Sequence, residues 1–462
     1  MKSHFIQMIA ACLLFTINLQ AQKETPPPGG KPKDFKLSEK KTQTFQNGLR
    51  TTLVQYGTLP KVNITLIIKT GNVHEAKNQV WLADLTGNLL KEGSTKMDFA
   101  ALSKKAAGMG GDINVGVGLA QTTISGSVLS ENAGAFIELI ASLVMDPAMP
   151  ANQVERLKDD LKRQLTVRKG VPQAQAQEAF FKAMYEGSPY EDIFPTEQMI
   201  SSYDYAAVKN FYNSQFGAKR SVLYVVGKFD ENDVITAVKK TLSNWRSGPD
   251  VIYPPVKPTT VNKTVIVDRK GAPQTTLMLG LPIIAPGSKD YVPMLLTNSL
   301  LGGSFGSRIT SNIRENKGYT YSPFSSVSNR KGTTLWMQQA DVTSEHTAAS
   351  LNEIEKEINR LQKEPPSKTE LEGIQNYEAG IFVLRNSSPG GIINQLNFLD
   401  LYGLDDSYLS NLVKNMYSVT PEKVTEITKK YIVYDKMLKV LVGDKALIEQ
   451  QLIKEKPALK AF

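Results

Sequence analysis

A chain of 462 residues is too long for one ordinary hydrophobic core, so two or more domains are expected. Hydrophobic residues at 41% and charged residues at 21% are typical of a folded globular protein and exclude a largely disordered chain. The net charge of +9 comes from Lys and Arg scattered among Asp and Glu. Because no clustered basic face or nucleic-acid-binding module is present, we expect no nucleic-acid partner.

The N-terminus has the pattern of an export signal. Lys2 supplies a positive charge, residues 5–17 form a short apolar core, and Ala21 ends a small-residue cleavage pattern. The apolar stretch is too short and too interrupted to favour a membrane-spanning helix. We predict that residues 1–21 are a signal peptide and that the mature protein is periplasmic. Alternatively, Cys12 belongs to a lipoprotein signal and anchors the protein through a lipid.

Cysteine and histidine are scarce. Cys12 is the only cysteine, so removal of the signal leaves a chain without disulfides or a thiol nucleophile. The two histidines that remain, His74 and His346, are too few for a Ser/His/Asp site or a histidine-rich zinc site. We interpret each as an ordinary surface histidine.

The chain repeats one order of elements. Residues 52–69 predict two strands joined by a turn, followed by a helix that ends near Leu90. Residues 264–304 repeat that plan, and the apolar strand 438–443 follows the similar strand 222–227 by 216 residues. A period of this length exceeds that of any solenoid repeat and indicates a duplicated domain.

The repeats and two Pro-rich stretches suggest the domain limits. In chain order we predict a signal peptide (1–21), a Pro/Gly-rich linker (22–42), an N-terminal domain (43–248), a second linker (249–262) and a C-terminal domain (263–462). Within each domain, alternating strands such as 112–130 are mixed with amphipathic helices such as 345–363. This mixture predicts α+β domains, each an antiparallel sheet with helices packed on it.

One segment resembles a known family. Residues 301–322, LGGSFGSRITSNIRENKGYTYS, are similar to the second-domain signature of the pitrilysin/insulinase-like zinc peptidases and the mitochondrial processing peptidase group. The VGD at 442–444 and the segment around Pro366 and Glu370 also match. The resemblance implies two tandem duplicated metallopeptidase-like domains that form half of a clam shell.

The catalytic signature of that family is absent. Active relatives carry His-x-x-Glu-His on a helix, where two histidines one turn apart hold Zn²⁺ and the Glu is the general base. The matching positions here are Asp84, Gly87 and Asn88, and the third ligand position falls on or near Gln164. We therefore expect no metal in this chain and interpret Asp84 as a helix-surface carboxylate.

The substrate-binding half of the family's site is retained. In active relatives an Arg and a Tyr of the second domain contact the substrate backbone, and by resemblance these are Arg314 and Tyr319. A Tyr hydroxyl can donate to a carbonyl oxygen that gains negative charge, and Arg can hold a carbonyl or carboxylate. Arg308 and Tyr321 are secondary candidates that we expect to be structural.

Together the residues and the resemblance predict a non-catalytic subunit of a heterodimeric zinc peptidase. Its partner would carry His-x-x-Glu-His and the zinc, and the two would close on an unfolded peptide. The alternative is a peptide-binding or structural scaffold with no peptidase role. An enzyme that uses an unrecognised site is a third possibility. The sequence also leaves open whether homodimers form.

Overall fold

The computed structural model of the protein describes residues 38–259 and 262–455, so the predicted signal peptide, Cys12 and most of the linker 22–42 lie outside it. The strands are β1 Lys40–Thr44, β2 Arg50–Gln55, β3 Lys61–Ile68, β4 Gly93–Ser94, β5 Met97–Asp98, β6 Asn114–Val117, β7 Thr122–Leu129, β8 Ser221–Gly227, β9 Lys263–Asp268, β10 Gln274–Ile283, β11 Phe324–Arg330, β12 Thr333–Thr343 and β13 Leu438–Gly443. The helices are α1 Leu82–Leu90, α2 Phe99–Gly108, α3 Ala133–Met145, α4 Val154–Gly170, α5 Pro172–Met184, α6 Glu197–Ser202, α7 Tyr205–Gln215, α8 Glu231–Lys240, α9 Tyr291–Asn298, α10 Arg308–Thr310, α11 Thr347–Lys363, α12 Lys368–Arg385, α13 Pro389–Tyr402, α14 Ser407–Ser410, α15 Leu412–Tyr417, α16 Pro421–Tyr431 and α17 Lys445–Glu455. Within the described residues, none of these helices has the length and apolarity needed to cross a membrane.

Two sheets form the framework, one in each half of the chain. The first has the order β1-β2-β8-β3-β7-β6, and the second has the order β11-β12-β10-β13-β9. β2 pairs with β8, and β9 with β13, in parallel, whereas the other pairs in both sheets are antiparallel. Apart from β1, corresponding strands occupy corresponding places. The predicted α+β fold with tandem duplicated domains is confirmed.

Each sheet packs one face against helices of its own half. The strands β8 and β13 are buried along their whole length, as their largely apolar sequences lead one to expect of inner strands. On α11 the predicted apolar face, with Ile354 and Ile358 at its centre, is buried in the second core. The helical spacing of apolar residues therefore correctly predicted which face of α11 is buried.

The other face of each sheet is covered by a helix from the opposite half. Phe180 of α5, in the first half, packs on the second sheet beside Met278, and Ile393 of α13, in the second half, packs on the first sheet beside Val226. Burial of large apolar side chains stabilises by about 1.5–3 kcal/mol each, so this exchange holds the halves together firmly. The apolar runs of α5 and α13 do not reveal which sheet they cover.

Three segments differ from the sequence prediction. Strand β1 begins inside the predicted linker 22–42 and pairs with β2, although its exposed polar residues carry no strand pattern. The polar strand β11 was not predicted, and it is an edge strand that pairs only with β12. In the linker 249–262, Tyr253 and Val256 are partly buried against the apolar cluster that α5 forms with the second sheet. The domain limits 43–248 and 263–462 stay a prediction.

Candidate functional site

Helix α1 carries three of the four positions of the expected degenerate zinc site. It follows Trp81, whose backbone is left-handed (φ 69°), and it buries Leu82 and Leu85 in the first core. Asp84 and Asn88 lie one turn apart on its half-buried side. The structure thus brings these two predicted positions together.

Gly87, at the position of the general base, is in close contact with the edge strand β6. A Cβ atom added at position 87 would overlap the Cγ2 atom of Val117. A carboxylate side chain has no room there unless Val117 moves. The neighbouring strand therefore occupies the space that a catalytic Glu would need.

Asp84 is not the helix-surface carboxylate that the sequence predicted. It is half-buried, and its Oδ2 accepts a hydrogen bond of 2.6 Å from Nδ2 of Asn72. Burial raises the pKa of Asp84, although this hydrogen bond opposes the rise. The prediction was wrong because the spacing along α1 does not show that a preceding loop folds over the side chain.

Glu75 is a member of this site that the sequence did not single out. Its carboxylate accepts hydrogen bonds from the backbone N–H groups of Trp81 (3.1 Å) and Ala83 (2.7 Å) and from the side chain of Asn72 (3.1 Å). It thereby satisfies N–H groups at the start of α1 that have no partner within the helix. Burial raises the pKa of Glu75 to about 8, and the charge of Asp84 adds to the rise. An acidic residue seven positions before the first residue of the helix is no recognised capping signal.

The fourth position, Gln164, lies exposed on α4, which packs along α1. One turn further along α4, Arg168 places a positive charge near Asp84, and Lys91 adds another. Two neutral amides and one carboxylate amid cations do not suit Zn²⁺, which takes thiolate, imidazole or carboxylate ligands. The described part of the chain holds no group of three or more His, Cys, Asp and Glu that could bind a metal.

His74 is not a surface histidine, so that prediction was wrong. Its Nδ1 accepts a hydrogen bond of 3.2 Å from the Gly71 N–H, and its ring lies 5.2 Å from the Tyr253 ring, centroid to centroid. Burial, followed by the charge of Arg220, lowers the pKa of His74 to about 4. Tyr253 is distant in sequence, and only the fold brings it over His74.

Tyr319 is held at a defined place in the second half. Its N–H donates to the Ile313 carbonyl, and its carbonyl accepts from the Thr343 N–H, both at 2.9 Å. Its ring stacks on His346 at 4.3 Å between centroids, so His346 has a packing role that an ordinary surface residue lacks. No described residue forms a hydrogen bond with the Tyr319 hydroxyl. The backbone is fixed and the hydroxyl remains available.

Arg314 lies between two exposed aromatic rings. Its guanidinium is 4.1 Å from the ring centroid of Phe305 and 5.3 Å from that of Tyr321, whose rings are 73% and 81% exposed. Glu315 is 3.3 Å away and half-exposed, so the pair is weak in water. Tyr321 thus contacts Arg314, and Arg314 stays half-buried beside an apolar surface patch.

Arg308 has a different environment. Its Nε and Nη2 donate to the two carboxylate oxygens of Glu370, each at 2.8 Å, which ties α10 to α12. This bidentate pair occupies the guanidinium, as expected of a structural residue. Arg314 and Tyr319 share one loop, and no described contact joins that loop to the α1 positions.

The loop itself is irregular. π-Helical turns, Ser299–Gly303 and Ser311–Asn316, lie on either side of α10. Such turns are rare and occur frequently at functional sites. Gly318, with φ of 66°, then reverses the chain so that position 319 can reach the end of β12.

Comparison with known proteins places this architecture in a family. Residues 51–194 match the family described as insulinase (peptidase family M16), and residues 202–377 match the peptidase M16 inactive domain. An uncharacterized zinc protease of Bacillus subtilis is 20% identical over 402 residues, which cover 87% of this chain and 98% of that protein.

Solved structures show the same fold. The peptidase M16 inactive domain from Pseudomonas fluorescens has a TM-score of 0.81 at 24% identity, covering 88% of this chain and 98% of that one. A chain of complex III2 from Candida albicans has a TM-score of 0.73 at 16% identity, covering 88% and 96%.

Proposed function

This chain belongs to the insulinase-like M16 peptidase family, and we propose that it is a non-catalytic subunit that binds an unfolded peptide and completes a partner's active site. The partner would carry His-x-x-Glu-His and the zinc. One observation carries the proposal. The second half holds Tyr319 in a fixed position with an available hydroxyl, while strand β6 fills the place of the general base in the first half.

The side chains of the loop suit this role. A tyrosine hydroxyl that is already in position can donate a hydrogen bond to a scissile carbonyl oxygen as negative charge develops on it. The Arg314 guanidinium, flanked by Phe305 and Tyr321, can hold a peptide carbonyl while the rings contact apolar substrate side chains.

The edge strand β6 offers a surface for the peptide backbone. It pairs with β7 on one side and, among the described residues, with no strand on the other. An extended peptide can add to such an edge through main-chain hydrogen bonds, which give affinity without demanding one sequence. An edge strand that binds through main-chain hydrogen bonds is suited to unfolded peptides of varied sequence.

The decisive experiment uses the complex of this chain with its His-x-x-Glu-His partner. We expect Tyr319→Phe to lower kcat/KM by about 10²–10³, because one hydrogen bond to the developing charge is lost. Arg314→Ala should raise KM, since it removes a contact made equally in the ground and transition states. Tyr377→Phe, at an exposed tyrosine of α12, is the matched control and should change neither parameter. Unchanged turnover in the Tyr319→Phe, Arg314→Ala double variant would refute the proposal.

Zinc analysis distinguishes this function from the alternative, a structural scaffold role. The likeness in fold to a chain of complex III2 is the reason to test that alternative. We expect stoichiometric zinc in the partner and none in this chain. Tight one-to-one zinc in this chain that is lost in Asp84→Ala would contradict the proposal. A partner without zinc or peptidase activity would favour the scaffold.

A further inference from the structure

A cavity of about 410 Å³ lies where the turns of two corresponding hairpins meet, β6–β7 in the first half and β11–β12 in the second. The uncharged segment 116–121 forms one wall, and residues 329–331 (Asn-Arg-Lys) form another. Tyr190 and Tyr402 complete much of the lining. The two hairpins are related by the duplication, but only the second brings cations to the cavity.

Among the described residues, no carboxylate forms an ion pair with Arg330. Its guanidinium lies 3.8 Å from the ring centroid of Phe181 and 5.2 Å from that of Tyr190, and its Nε and Nη1 are buried without a hydrogen-bond partner among the described residues. Ring faces attract a cation but give its in-plane N–H groups no good acceptor. Burial lowers the pKa of Arg330, because no nearby carboxylate offsets the loss of water.

The neighbouring charges do not supply an anion. Lys331 donates at 2.6 Å to a backbone carbonyl in the last turn of α13, and its charge also acts on the half-buried Lys69. The carboxylate of Asp400 acts on Lys69, but it already pairs with Arg50 and accepts a hydrogen bond from Tyr224. This corner of the molecule therefore carries excess positive charge beside a cavity.

We propose that the cavity binds a carboxylate of an acidic peptide, with the guanidinium of Arg330, which lines the cavity, as its charged partner. The cavity adjoins the end of β6, and the exposed Gly116 and Gly118 in its wall carry no side chain that would block an approaching chain. A peptide that adds to β6 can place either an Asp or Glu side chain or its own C-terminal carboxylate there. The proposal rests on the peptide binding proposed above but needs neither the partner nor Tyr319.

Four synthetic hexapeptides test this inference with the isolated mature chain. They share one sequence and differ only in Glu or Gln at one position and in a free or amidated C-terminus. We expect at least one carboxylate to strengthen binding by roughly 10- to 100-fold in calorimetry at low salt, as for a hydrogen bond between charged groups. The form that gains affinity identifies the source of the carboxylate. Equal binding of all four peptides, or no binding, would overturn the proposal.

The variant Arg330→Met assigns the effect to this cavity. Methionine can keep the apolar contacts of the buried stem, so the fold should persist, and the gain from the carboxylate should disappear. Arg246→Met is the matched control, because Arg246 also lies over an aromatic ring, 5.2 Å from the Tyr212 centroid, but lines another part of the surface. Retention of the full gain in folded Arg330→Met would refute the assignment.

A second variant keeps the test decisive if Arg330→Met does not fold. Lys331→Gln removes the adjacent charge from a half-buried residue and should weaken the carboxylate-dependent gain several-fold. An unchanged gain in Lys331→Gln would then count against the site. Failure here is distinguishable from failure of the proposed function, because Tyr319→Phe should leave peptide affinity in the isolated chain unaltered.

Discussion

In the first half of the molecule, α1 packs so closely on β6 that a side chain at position 87 would overlap Val117, whereas the corresponding segment of the second half opens into a loop. There α9 continues into the π-helical turn Ser299–Gly303, and the loop beyond it displays Arg314 and Tyr319. The same order of strands thus supports a closed region and an open one. Duplication preserves the order of the strands, while the packing around the corresponding helices differs between the halves.

The two regions also differ in how they treat charge. The first buries or half-buries its ionisable groups, namely His74, Glu75 and Asp84, with shifted pKa values. The second keeps Arg314 half-exposed against aromatic rings. Lowering the pH should therefore change stability through the first region. Removing single arginines should show which ion pairs stabilise the second region.

The largest effect should come from His74. Its pKa is about 4 in the folded protein and about 6.5 in the unfolded chain, so the unfolded state binds more protons between these values. Its contribution is complete above pH 6.5 and lost as pH falls towards 4, by up to about 3 kcal/mol. Urea unfolding of the wild type and of His74→Gln at several pH values should show this loss as their difference. A constant difference would show that His74 is not held neutral by burial.

The next effect contrasts two arginines of the second half. Arg308→Met removes both hydrogen bonds to Glu370 and should lower the free energy of unfolding by about 2 kcal/mol. Arg314→Met should change it by less than about 0.5 kcal/mol, because Arg314 makes no comparable pair. Thermal unfolding at neutral pH measures both. Equal losses would mean that Arg314 is structural, which would weaken its assignment to substrate.

The smallest effect compares two helical glycines. Gly380→Ala in α12 meets nothing within 4 Å and should stabilise the protein by about 0.5–1 kcal/mol. Gly87→Ala has the same helical advantage but overlaps Val117, so it should be neutral or destabilising by about 1 kcal/mol. Adding Val117→Ala should recover part of that loss beyond simple additivity. If Gly87→Ala stabilises as Gly380→Ala does, the closed packing of the first region is wrong.

Much of the fold could be predicted from the amino-acid sequence because particular elements carry clear apolar patterns. The strands β2 and β3, the apolar strands β8 and β13 and the amphipathic helix α11 all carry apolar residues in recognisable patterns. Strands β1 and β11 escaped prediction because they lie at sheet edges, where main-chain pairing suffices and polar side chains are tolerated.

The candidate site was predicted only in part. Residue types at Asp84, Gly87, Asn88 and Gln164 indicate a lost metal site, since two of the three ligand positions hold neutral amides and the base position holds a glycine. The burial of Asp84 and His74 and the part played by Glu75 could not be seen. Each depends on segments that local periodicity does not connect to α1.

By itself the sequence determined the duplicated α+β framework, because apolar periodicity is a local property, and its resemblance to the family indicated which catalytic groups are missing. Only the tertiary structure decided that α5 and α13 each cover the other half's sheet, that Val117 fills the space at position 87 and that Arg330 faces a cavity without a counter-ion. These are contacts between residues far apart in the chain. Their energies depend on distance and burial, which the fold alone sets.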